Sequence, residues 1–94
     1  MENETIYALR QAILIAVNDA YGPINFERAC HHSELYGIDT TMILDQWRNL
    51  IKAGYLETVD GSNGKYVRLS AEGASQVSFV PGKADAYIYG VKAL

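Results

Sequence analysis

The sequence predicts a small, mainly α-helical domain that carries one β-hairpin, and three observations point to this class. Apolar residues recur at steps of three and four through most of the first 53 positions, as in amphipathic helices. Two short segments, at 55–59 and 65–69, alternate instead and flank a glycine-rich turn. The 94 residues, 49% of them hydrophobic, are enough for one domain with one core.

The first helix is predicted over residues 4–20. One face carries four apolar residues at helical spacing, Ile6, Leu9, Ile13 and Val17. A second row beside it consists of Tyr7, Leu14 and Tyr21. This row has two interpretations: it belongs to the core, or its edge contacts a second copy of the chain. Gly22-Pro23 is expected to end the helix, because proline cannot continue it.

A second helix is predicted from Phe26 to about Tyr36. Asn25 suits its N-cap, because the Asn side-chain oxygen accepts a hydrogen bond from a free backbone N–H group. Gly37 follows the predicted end, a position that favours glycine. The inward positions at helical spacing are Phe26, Ala29, Cys30 and Ser33.

A third helix is predicted over about 41–53, with Asp39 or Thr40 as its cap and Gly54 as its stop. Its apolar stripe comprises Ile43, Leu44, Trp47, Leu50 and Ile51. The positions expected to face outward are Thr41, Met42, Asp45, Gln46, Arg48, Asn49 and Lys52.

The hairpin follows, with strands at 55–59 and 65–69 around the turn DGSNG at 60–64. Ser70 can cap a short fourth helix from Ala71 to about Val77. Residues 1–80 are interpreted as the domain and 81–94 as a C-terminal arm that contains Tyr87 and Tyr89. The arm is expected to be ordered, but a third strand, a segment pairing with a second subunit and a flexible end all remain open.

Two runs of sequence carry a family resemblance. The run LIKAGYLE at 50–57 resembles the passage of MarR-, PadR- and ArsR-type regulators in which a helix ends on glycine and a strand begins. The run YVRLSAEG at 66–73 is similar to their second strand, which leads into a helix through Leu-Ser/Thr-x-x-Gly. The resemblance implies a winged helix-turn-helix, with its recognition helix at about 41–53 and its wing tip at 60–64.

This resemblance implies a DNA-binding regulator of transcription, expected to act as a homodimer. The recognition helix would enter the major groove of double-stranded DNA, and the wing would reach the backbone. The expected DNA contacts are Thr40, Thr41, Gln46, Arg48, Asn49, Lys52, Lys65 and Arg68. Asp45 opposes this assignment, because a carboxylate in the reading face repels phosphate.

The charge distribution leaves a second function open. The net charge is −3, whereas nucleic-acid binders usually carry a basic excess. Residues 1–46 hold two basic and seven acidic side chains, and residues 47–94 hold six basic and four acidic ones. The alternative is therefore a winged-helix module that binds protein instead of DNA, with Tyr87 and Tyr89 of the arm as its contacts.

Other classes find little support in the sequence. The acidic start and the lack of a long apolar run predict a cytoplasmic protein without a membrane span. Glu27, His31 and Glu34 share a helical face, but without a second ligand pair they predict no metal site. The turn at 61–65 departs from a phosphate-binding loop in its spacing. Neither a catalytic residue nor a cofactor is expected, and the chain is not interpreted as an enzyme.

Overall fold

A computed structural model describes residues 3–20 and 22–78 of the chain. This part contains four helices and a three-stranded antiparallel sheet, in agreement with a mainly helical domain that carries a hairpin. The elements in chain order are α1 (Asn3–Asn18), β1 (Ile24–Asn25), α2 (Phe26–Ala29), α3 (Thr40–Ala53), β2 (Leu56–Thr58), β3 (Tyr66–Leu69) and α4 (Ala71–Ser78). Tyr21 and the arm at 81–94, with Tyr87 and Tyr89, lie outside the described residues.

Helix α1 is the central element of the core. Every residue from Gln11 to Val17 is buried, because α1 packs against α3, α4 and β3 together. The predicted face is confirmed at Leu9, Ile13 and Val17, which are all buried. The two described residues of the second row differ in their exposure: Leu14 is buried in the core, while the side chain of Tyr7 is 60% exposed.

The sheet has the order β1-β3-β2, with β3 in the middle. The predicted hairpin is confirmed as β2 and β3, in which Glu57 is paired with Arg68. The third strand, β1, was not predicted; two residues are too short to show the alternation that marks a strand. Its pairing with β3 sets Ile24 opposite Val67, and both side chains are buried.

The second helix is much shorter than predicted, since α2 ends at Ala29 and residues 30–37 form successive turns. Two histidines account for this. The Nδ1 atom of His31 lies 2.9 Å from the carbonyl oxygen of Glu27, the acceptor that a continuing helix would offer to the His31 N–H group. The Glu34 N–H group donates to Nδ1 of His32 instead of to a helical carbonyl.

The loss of helical period changes which side chains of this segment are inside. Ser33, predicted to face inward, is exposed, and Leu35 takes a place in the core. Ala29 is fully buried, and Phe26 and Cys30 pack against the core as predicted. Asn25 caps α2 as predicted, because its Oδ1 accepts a hydrogen bond from the Arg28 N–H group at 2.9 Å.

Helix α3 begins and ends where the sequence predicts. The Asp39 carboxylate accepts a hydrogen bond from the Thr41 N–H group at 2.8 Å, and Gly54 ends the helix in the left-handed conformation, at φ 91°. Ile43, Trp47 and Leu50 are buried. Met42, predicted to face outward, packs against the core instead, because it lies one turn before Gln46, whose side chain contacts Arg10 of α1.

The start of α4 is hydrogen-bonded to the junction between α3 and β2. The Ser70 hydroxyl donates to the carbonyl of Gly54, and the Ser70 N–H group donates to the carbonyl of Tyr55. Ser70 also caps α4 as predicted, accepting from the Gly73 N–H group at 3.0 Å. A Cβ atom at position 73 would lie 2.0 Å from the carbonyl oxygen of Tyr55, so only glycine fits there.

We expect the substitution Gly73→Ala to lower the free energy of unfolding by about 3 kcal/mol, because the methyl group must push α4 away from the Tyr55 backbone. Urea unfolding at an unchanged m-value measures this loss. Gly22→Ala is the matched control, since a Cβ at position 22 meets no atom within 4 Å, and its effect should stay below about 1 kcal/mol. Equal midpoints for the two variants would contradict the close approach described here.

Candidate nucleic-acid interface

The solvent face of α3 presents most of the polar side chains that the sequence singled out. Thr40 and Thr41 lie exposed in its first turn, and Arg48, Asn49 and Lys52 lie exposed further along the helix. The buried side chains of Ile43, Trp47 and Leu50 fix the orientation of this face by holding the opposite side of α3 in the core. Asp45 is exposed as well, so α3 presents a carboxylate beside its cations.

Two of the predicted contacts on α3 already have partners within the chain. Gln46 is half-buried, and its Oε1 accepts a hydrogen bond from Arg10 Nε of α1 at 2.7 Å. The Thr41 N–H group donates to the Asp39 carboxylate and is not free to bind an anion. The hydroxyls of Thr40 and Thr41, both on exposed side chains, remain as donors at this end of the helix.

On the sheet, Arg68 is paired with Glu57 across the β2–β3 ladder. Arg68 Nε donates to Glu57 Oε2 at 2.8 Å, and the side chains are 58% and 46% exposed. At such exposure the pair contributes no more than about 1 kcal/mol to stability, because water screens both charges. The charge of Arg68 is nevertheless compensated locally in the free protein.

A groove brings Arg48 of α3 and Lys65 of the hairpin together, although they are 17 positions apart in the sequence. The groove has a volume of about 700 Å³. It runs between α3, the start of α2 and the first residues of β3. Its walls are formed by Asn25, Phe26, Glu27, Leu44, Trp47, Arg48, Ile51, Gly64, Lys65 and Tyr66. Lys52 and Arg68 do not line it.

The floor of the groove is largely apolar. Phe26 and Trp47 meet edge to face, with ring centroids 5.4 Å apart and an interplanar angle of 82°. Leu44 and Ile51 are half-buried along the same wall, and Tyr66 is 41% exposed on the other side. The groove therefore combines an apolar surface with two cations, Arg48 and Lys65, and one anion, Glu27.

The residues that the sequence analysis missed are of two kinds. The alternation of Tyr66, Val67 and Arg68 along β3 already places Tyr66 on the exposed side, so its position could be predicted from the sequence. Arg10 carries no such signal, because its partner Gln46 lies 36 residues away on another helix. Phe26 was predicted as a core residue and also lines the groove.

The histidine and cysteine cluster around α2 has structural contacts. His32 Nε2 lies 2.8 Å from Asp19 Oδ2, and its Nδ1 accepts from the Glu34 N–H group; the proton of the neutral ring therefore lies on Nε2. Burial, followed by the nearby charge of Glu27, raises the pKa of the Cys30 thiol. Within residues 3–20 and 22–78, no three His, Cys, Asp or Glu side chains are grouped so that they could hold a metal ion.

Comparison of the chain with protein-family models, with curated proteins and with solved structures gives no significant match. Among the helices of the described residues, none combines the length and apolar character needed to span a membrane.

The rate at which iodoacetamide alkylates Cys30 rises with pH. We expect the midpoint of this rise to lie at higher pH in the folded protein than in urea. A raised pKa lowers the thiolate fraction at neutral pH, and the thiolate is the reacting form. Glu27→Gln should shift the midpoint of the folded protein back toward lower pH, because it removes the second cause of the raised pKa. Glu72→Gln, on α4, should leave it unchanged. A folded midpoint at or below the value in urea would contradict the prediction.

Proposed function

We propose that the chain is a winged helix-turn-helix domain that binds double-stranded DNA and regulates transcription as a homodimer. The element order supports the fold: α1, β1 and α2 precede α3, β2 and β3 follow it and form a three-stranded antiparallel sheet with β1, and the β2–β3 hairpin is the wing. The runs at 50–57 and 66–73 that resemble such regulators meet in space, since Ser70 and Gly73 contact the backbone of Gly54 and Tyr55.

In this proposal α3 is the recognition helix and lies in the major groove, while the wing reaches the sugar-phosphate backbone. Asn49 reaches a base edge and pairs with adenine, while Arg48 contacts a phosphate, with the edge of a guanine as its alternative partner. Lys52 and Lys65 bind phosphate, and the hydroxyls of Thr40 and Thr41 donate to phosphate at the start of α3. Gln46 reads a base only after it leaves Arg10, and Arg68 binds phosphate only after it leaves Glu57.

The observation that carries the proposal is the shared groove of Arg48 and Lys65. A cation on the recognition helix and a cation beside the tip of the wing then face one binding surface. Among the described residues, neither side chain takes part in an ion pair, so both positive charges are available to a polyanion.

The carboxylates of the same surface limit how strongly it binds DNA. Asp45 is exposed on α3, Asp39 occupies the start of the helix, and Glu57 compensates Arg68. Each subunit is left with Arg48, Lys52 and Lys65 for phosphate contacts. Three contacts give a slope of log affinity against log salt of about −3 for one subunit and about −5 for a dimer.

We expect the double variant Arg48→Ala, Lys65→Ala to weaken binding to a mixed-sequence duplex and to lower the magnitude of the salt slope by about 2 per subunit. Fluorescence anisotropy over a range of salt concentrations measures both quantities. Arg28→Ala is the control, because Arg28 is exposed but does not line the groove. Equal affinities for the double variant and the wild type, or no retention of duplex at low salt, would refute DNA binding through this face.

We expect Glu57→Gln to strengthen DNA binding and to steepen the salt slope by about 1, because Arg68 then becomes free to contact phosphate. Glu72→Gln removes the same charge from the exposed first turn of α4 and should leave the slope unchanged. An identical gain from both variants would show that only the net charge matters and not the position of Arg68.

The apolar floor of the groove favours a second candidate, a module that binds protein. Phe26, Leu44, Ile51 and Tyr66 offer a partly exposed apolar wall, which is typical of surfaces that take a partner's side chains. Association of this kind tolerates salt, whereas DNA binding weakens steeply. Truncating Tyr66 to Ala therefore separates the two functions: it weakens a protein contact at any salt concentration and leaves the salt slope for DNA unchanged.

A further inference from the structure

An asparagine followed by glycine lies at the tip of the β2–β3 hairpin. These residues are Asn63 and Gly64, and both are exposed to solvent. Asn63 is the only asparagine of the chain that precedes a glycine. Its backbone is left-handed, with φ at 58°, and that of Gly64 is left-handed too. This conformation explains why Asn and Gly are found at the tip, because they adopt it at little cost.

The hydrogen bonds of the turn are made on either side of this pair. The Ser62 hydroxyl donates to the carbonyl of Val59 at 2.7 Å, and the Lys65 N–H group donates to the carbonyl of Ser62 at 3.1 Å. Among the described residues, neither the Asn63 side chain nor the Gly64 N–H group has a hydrogen-bond partner. A Cβ atom at position 64 would meet nothing within 4 Å, so the space around this nitrogen is open.

We propose that Asn63 is a site of spontaneous deamidation. The backbone nitrogen of Gly64 attacks Cγ of Asn63, the proton of that nitrogen passes to Nδ2, and the Cγ–Nδ2 bond breaks to release ammonia. The succinimide ring that results is opened by one water molecule. Cleavage between the nitrogen and Cγ leaves aspartate, and cleavage between the nitrogen and the backbone carbonyl carbon of residue 63 leaves isoaspartate. Nothing is oxidised or reduced in either step.

The structure favours this reaction at Asn63 over two other asparagines. Attack within one chain is fast only where the reacting atoms can reach the required geometry. Asn25 is held in β1, and its Oδ1 accepts a hydrogen bond from the Arg28 N–H group at 2.9 Å. Asn49 lies inside α3, where the helix fixes the backbone and engages the N–H groups. Asn63 has neither constraint, and glycine offers no side chain to hinder the attack.

The product places a negative charge beside a cation of the groove. Lys65 lines the groove together with Gly64, one position after the modified residue. Aspartate adopts the left-handed conformation nearly as readily as asparagine, so the aspartate product retains the turn. The added carboxylate repels phosphate next to Lys65. DNA binding therefore weakens as the protein ages, a consequence that rests on the proposed function, whereas the reaction itself does not.

The test is incubation of the full chain in mildly alkaline buffer, with its peptides analysed by mass spectrometry over time. We expect position 63 to gain the mass of an amide converted to an acid about 100-fold faster than positions 25 and 49. In the folded protein, the rate at Asn63 should stay within about tenfold of its rate in urea, because no contact has to open first. Equal rates at the three positions, or a rate at Asn63 that falls below this range on folding, would overturn the proposal.

Two variants of the same position test the consequence for DNA. Asn63→Asp carries the charge of the product from the start, and Asn63→Gln stays neutral. The charged variant should have a salt slope smaller in magnitude by up to about 1 per subunit. Equal slopes would overturn the effect on DNA. If no form of the chain binds duplex DNA, the proposed function and this effect fail together, while the deamidation of Asn63 is decided by mass spectrometry alone.

Discussion

The contact between Gly73 and the carbonyl of Tyr55 is the constraint on which the rest of the arrangement depends. That carbonyl lies directly after α3, and it accepts from the Ser70 N–H group while the Cα of Gly73 packs against it. The chain leaving β3 is thus returned to the point where β2 began. This closure fixes the hairpin relative to α3, and with it the groove that Arg48 and Lys65 share.

The sequence predicted the elements whose signals are local. Gly54, Ser70 and the alternation at 65–69 gave the end of α3, the cap of α4 and the hairpin close to their observed positions. The length of α2 could not be predicted, because hydrogen bonds made by the rings of His31 and His32 end the helix within an unbroken helical pattern. Strand β1 depends on pairing with Val67 and Tyr66, more than 40 residues further on, which no local pattern reveals.

The same difference between local signals and long-range contacts holds for the candidate site. Exposure of Arg48, Asn49 and Lys52 follows from the periodicity of α3 and could be predicted. The pairing of Gln46 with Arg10 depends on how α1 packs against α3 and could not. The result is a surface with fewer free cations than the sequence suggests, since Arg68 is compensated by Glu57. The proposed DNA binding would then be weak and salt-sensitive for each subunit, and the proposed dimerisation would strengthen it.

DNA binding through α3 and the hairpin can be tested by mapping the backbone amide shifts of the ¹⁵N-labelled chain as a mixed-sequence DNA duplex is added at low salt. Binding through this face should produce saturable changes confined to the exposed side of α3, around Arg48 and Asn49, and to the hairpin at Gly64 and Lys65. The signals of α4 should not move, because α4 lies against α1 and the Tyr55 backbone. The absence of saturable changes, or changes centred on α1 and α4, would contradict it.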